Sequence, residues 1–146
     1  MSVSKLTFEV FQSLCDYVSL KLVAFLPVPD NFLSVTVINT PDGVRGGNSY
    51  MYPNDIYQKA YLYINMSECP DMGRAIDAIA HELCHALHYR FEHYRASVNT
   101  MLSEDGKSTS GLLFNQACEA SVDVLKPIMV FWLRDIIHDS KFVRYL

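Results

Sequence analysis

Apolar residues recur at helical spacing from about Lys5 to Leu26. Phe11, Leu14, Cys15, Val18, Leu22, Phe25 and Leu26 carry the repeat, while Glu9, Asp16 and Lys21 lie elsewhere on the wheel. Pro27 and Pro29 then stop the helix. From Leu33 to Asn39 the period changes to two. Leu33, Val35 and Val37 alternate with Ser34, Thr36 and Ile38, which predicts a strand with one buried face. Pro41-Asp42-Gly43 is a turn signal, and Gly46-Gly47-Asn48 reads as a loop between strands. A short strand is expected over Ser49 to Tyr52, ending before Pro53. Another is expected over Lys59 to Asn65, with Tyr61 and Tyr63 facing one way and Leu62 and Ile64 the other.

Ser67, Pro70 and Asp71 are residues that start helices. The periodic stretch behind them runs to about Glu92 or His93. Tyr94 to Ser110 is looser, and Ser103 to Gly111 is polar and glycine-punctuated, which predicts a loop. A second long helix is expected over Leu112 to Leu125, kinked or ended near Val124 to Lys126 by Pro127. Ile128 to Ile137 reads as helical again, and Lys141 to Leu146 as a tail. The element pattern is α+β: a small twisted sheet and an N-terminal helix ahead of a central helix and a C-terminal one.

At 146 residues the chain is expected to form one domain, residues 1–146, large enough to bury a core. Half of the residues are hydrophobic and 19% are charged. That balance implies a well-filled core or an apolar self-contact, so a homodimer is among the expected states. The net charge of -4 gives no electrostatic reason to expect nucleic-acid binding. Cys15, Cys69, Cys84 and Cys118 lack paired metal spacing and sit in apolar stretches. They read as free thiols of a reducing compartment. Glu9 interrupts the apolar run behind Lys5, so no signal peptide is expected. No 18-residue apolar run predicts a membrane span. The expected location is cytoplasmic.

The chemistry concentrates in Arg74 to Tyr89, which contains His81-Glu82-Leu83-Cys84-His85. On a helical wheel His81, His85 and His88 fall within a narrow arc joined by Ala78 and Arg74. Ile76, Ala80, Leu83 and Leu87 lie opposite. Two His four residues apart on one face can bind one zinc, and the Glu between them can act on a metal-bound water. Ala78 and Ala86 flank Glu82 and are small, leaving room for water and substrate. A surface helix with two solvated His, or a helical core protein with no metal, is the plain alternative.

A catalytic zinc needs a third protein ligand. His88, Glu92, His93, Glu119 and Asp123 are the candidates. His88 is on the correct face, but seven residues from His81 it lies about 10 Å along a rigid helix. Glu119 comes from a separate helix that can pack across the first. Asp123, four residues later on the same face, could orient an imidazole. Cys84 lies about 100° around the wheel from His85, poorly placed to ligate beside it.

His81-Glu82-x-x-His85, followed by a helix with Glu119-Ala120-Ser121-Val122-Asp123, resembles the gluzincin metallopeptidases. The compact versions, the minigluzincins and the ImmA/IrrE-type peptidases, are similar in size. The resemblance covers roughly Tyr61 to Asp123. It implies a zincin-like fold, one Zn2+ per chain held by His81, His85 and Glu119, and Asp123 supporting the first His. It implies hydrolysis of a protein or peptide substrate with Glu82 as general base. His88, Tyr89, His93 and Tyr94 are candidate oxyanion or substrate contacts. It also implies an edge strand that pairs with extended substrate, for which Tyr61 to Asn65 is the candidate. SprT-like proteases offer a second resemblance, with His93 as third ligand. A metal-binding regulatory protein without turnover is the remaining reading, although a purely structural zinc has no use for Glu82.

Overall fold

The structure, a computed structural model, describes residues 6–26, 28, 30–39, 49–54, 59–69, 71–90 and 108–146; the side chains of residues 50, 52–54, 68, 88–90 and 108–121 lie outside that description. Helix α1 spans Phe8–Phe25. Thr7 caps it, its Oγ1 accepting from the Val10 N–H at 3.2 Å. Leu26 turns to extended backbone because the following proline disfavours a helical residue before it. Strands β1 (Leu33–Ile38), β2 (Tyr50–Asn54) and β3 (Lys59–Asn65) form one mixed sheet in the order β1-β3-β2. β1 runs parallel to β3, with Leu33 opposite Ala60 and Val37 opposite Ile64. β2 runs antiparallel to β3, with Tyr50 opposite Tyr63.

The two-residue period decides which face is covered. Leu33, Val35, Val37, Ala60, Leu62 and Ile64 are buried, and the intervening residues are half-buried or exposed. α1 packs against β1, while helix α2 (Met72–Arg90) packs against β2 and β3. Asp71 starts α2 by accepting from the Arg74 N–H at 2.8 Å. Helix α3 (Ser108–His138) packs along α2. Its Val122, Met129, Leu133 and Ile137 are buried, at spacings of seven, four and four. The protein is therefore α+β, and no helix among the described residues is long and apolar enough to cross a membrane.

Four expectations change. β3 is the central strand, hydrogen-bonded on both sides, so Tyr61 to Asn65 cannot accept an added strand. β2 includes Pro53, opposite Ala60; a residue without an N–H is tolerated at a sheet edge. α3 begins at Ser108, inside the expected loop, and continues through Pro127. Pro127 is exposed, and so is Asp123, whose carbonyl would otherwise receive the missing N–H. Water can satisfy that carbonyl, while apolar contacts on both sides of the proline hold the helix. The C-terminal stretch forms a 3₁₀ turn, Lys141–Tyr145, because Phe142 and Tyr145 bury their rings. Tyr17 of α1 meets Phe142 at 5.6 Å between ring centroids, and its hydroxyl donates to the Ile136 carbonyl at 2.8 Å.

Among the strand edges, that of β1 is occupied. The Gln12 side chain of α1 donates from Nε2 to the Val35 carbonyl at 3.0 Å and accepts on Oε1 from the Val37 N–H at 2.9 Å. The carbonyl of one residue and the N–H two residues on face the same edge of a strand. Gln12 therefore takes the bonds that an added strand would use. β2 forms the opposite edge, beside α2.

Candidate metal centre

α2 is buried around most of its circumference. Ala75, Ile76, Ile79, Ala80, Leu83, Cys84 and Ala86 are all enclosed. The remaining strip carries Arg74, Asp77, Ala78, His81 and His85, exposed or half-buried. Ala86 thus belongs to the core rather than to the room beside Glu82, whereas Ala78 lies on the open side. One helical turn separates His81 from His85, which brings their rings edge to face at 4.9 Å between centroids and 71° between planes.

Their Nε2 atoms are 3.2 Å apart. Two imidazole nitrogens on one tetrahedral zinc, each at about 2.0–2.1 Å, are about 3.3–3.4 Å apart. The pair is therefore spaced as a shared ion requires. Both nitrogens can coordinate only when each ring carries its proton on Nδ1. Glu82 follows His81 directly and is 6% exposed, one of two buried polar or charged side chains among the described residues.

His81 and Glu82 open onto a cleft of about 350 Å³ shared with Ser49, Arg74, Asp77, Ala78 and Lys126. Ser49 precedes β2, so this edge strand begins at the cleft wall. Lys126 reaches across from α3, placing Nζ 2.9 Å from both carboxylate oxygens of Asp77. This pair ties α3 to α2 one turn before His81.

The other sequence candidates fall as follows. Glu119 is in the body of α3, with its side chain outside the description. His88 and Tyr89 are in the last turn of α2 on the same terms, and Glu92, His93 and Tyr94 lie outside the described residues. Asp123 is in α3 and is exposed. Among the described residues no group of three or more His, Cys, Asp or Glu side chains gathers at one point. A three-ligand centre on the His pair therefore needs one of the side chains beyond them.

Cys15, Cys69 and Cys84 are buried thiols that form no disulfide among the described residues. Burial pushes the Cys84 thiol up to about 11, with the Lys126 ammonium offsetting part of the rise. Without a metal beside it, the thiol stays protonated at neutral pH. Ser49 and Lys126 were invisible in the sequence as cleft residues, since they arrive from elements distant along the chain. Compared with known protein families, curated proteins and solved structures, the chain gives no match.

Proposed function

We propose that this chain is a zinc-dependent peptidase with the zincin-like arrangement of the compact gluzincins. The observation that carries the reading is the 3.2 Å separation of the His81 and His85 Nε2 atoms beside the buried Glu82, all on one rigid helix. The donor set fits zinc: two neutral imidazoles at the correct separation, with a carboxylate at the cleft wall. Glu119 is the proposed third ligand. It lies seven residues before Lys126, about 10 Å along α3. His81 and His85 lie four and eight residues beyond Asp77, about 6 and 12 Å along α2. This assignment requires α3 to run antiparallel to α2 past the Lys126–Asp77 pair, which would bring position 119 level with the two imidazoles.

His81, His85 and Glu119 would hold the zinc, whose chemistry there would be to lower the pKa of a bound water and polarise the scissile carbonyl. Glu82 accepts the proton of the attacking water and delivers it to the leaving nitrogen. Extended substrate adds to β2, the outer strand that no other strand among the described residues pairs on its far side, and its backbone passes Ser49 into the cleft. The test is hydrolysis of a random peptide pool followed by mass spectrometry. Wild type is expected to cleave, and Glu82→Gln to retain zinc while losing about a hundredfold or more in rate. Equal rates for the two proteins would remove Glu82 from the chemistry.

A further inference from the structure

Among the described residues the cleft contains two cations, and one of them is paired with a carboxylate. Lys126 is held by both oxygens of Asp77 at 2.9 Å. Arg74 lines the same cavity, is exposed, and has no carboxylate paired with its guanidinium among the described residues. Of the two acids three residues away, Asp77 is held by Lys126 and Asp71 accepts from the Arg74 backbone N–H. Arg74 stands seven residues before His81, within 20° of it on the wheel and about 10 Å along the axis. Between them on that strip is Ala78, which is too small to block the path.

We propose that Arg74 is a specificity-determining residue that selects substrates with an acidic side chain two or three residues from the bond cut. This inference rests on the peptidase reading. The register follows from the extended chain: at about 3.3 Å per residue, 10 Å corresponds to two or three residues. A guanidinium presents a planar fork that matches a carboxylate in two parallel hydrogen bonds, a pairing that Asn and Gln cannot reproduce. The protein as a whole carries a charge of -4, so long-range attraction does not recruit acidic peptides. Selection comes from this local contact.

The probe is a set of fluorescein-labelled peptide pools, identical except for one position fixed as Asp, Glu, Asn, Gln or Lys. Binding to the full chain carrying Glu82→Gln is read by fluorescence anisotropy, with cleavage by the wild-type protein read in parallel. Asp and Glu pools are expected to bind about tenfold more tightly than their amide counterparts. Glu82→Gln/Arg74→Gln should erase the difference, Arg74→Lys should restore part of it, and Arg74→Glu should invert it towards Lys. Circular dichroism verifies that each variant is folded. Equal binding of acid and amide pools, a preference that survives Arg74→Gln, or no binding of any pool overturns the inference. Cleavage without acidic preference overturns it while leaving the peptidase reading in place. Acid-selective binding without cleavage does the reverse.

Discussion

Gln12→Ala is a sharp test of how the sheet is closed. The side chain makes two hydrogen bonds to β1, at 3.0 Å to the Val35 carbonyl and 2.9 Å from the Val37 N–H. Both valines are buried, at 7% and 3% exposure, so water reaches the freed backbone groups poorly. A buried polar group left unpaired costs about 1–3 kcal/mol. Two such groups at a strand edge, where some water enters, cost about 2–4 kcal/mol together. For a chain of this length 1 kcal/mol shifts the melting temperature by about 2–4 °C, so a loss of about 4–16 °C is expected. Urea unfolding followed by far-UV circular dichroism gives the free energy, with the slope against urea unchanged. The variant should also associate as concentration rises, because the β1 edge becomes open to strand pairing. An unfolding free energy within about 0.5 kcal/mol of wild type, with no association, would refute the closure of β1 by Gln12.

Four variants separate the third-ligand candidates. Glu119→Ala should weaken zinc binding severely in a chelator competition, and His88→Ala should leave it near wild type. Asp123→Ala should have a smaller effect than Glu119→Ala, about 10- to 100-fold, as expected of a residue that acts through an imidazole rather than on the metal. Loss of metal in His88→Ala or His93→Ala with retention in Glu119→Ala would transfer the site to the SprT-like arrangement. The buried thiols predict alkaline sensitivity. The Cys84 thiol keeps its proton in the folded chain up to about pH 11, whereas its ordinary value is 9.0. Between these the unfolded chain binds fewer protons than the folded one, so stability falls as pH rises. Cys84→Ala should flatten that slope in urea titrations from pH 8.5 to 11, and an unchanged slope would assign it to other groups.

Periodicity made most of the fold readable. α1, β1, β3 and α2 lie where the 3.6- and 2-residue patterns place them, because each has one apolar face that the core demands. The HExxH spacing likewise placed two imidazoles one turn apart, and the helix carried them to 3.2 Å. What failed depended on neighbours. Which strand lies at the edge is a property of the sheet, and β3 reads the same in sequence whether central or outer. Pro53 did hold a clue, since a proline within a strand points to an edge. Pro127 looked like a helix end because sequence rules weigh its missing N–H without its surroundings. On an exposed face, flanked by buried Val122 and Met129, that loss is tolerated. Lys126 and Ser49 entered the cleft through helix packing and a strand connection, with no local signature at all.

The central claim is that His81 and His85 share one zinc. Metal content of the purified full chain, measured by inductively coupled plasma mass spectrometry after dialysis against metal-free buffer, tests it most directly. The 3.2 Å nitrogen pair predicts close to one zinc per chain in wild type and none in the His81→Ala/His85→Ala double variant, with both proteins folded by circular dichroism. A double variant that retains its zinc in full would contradict the account.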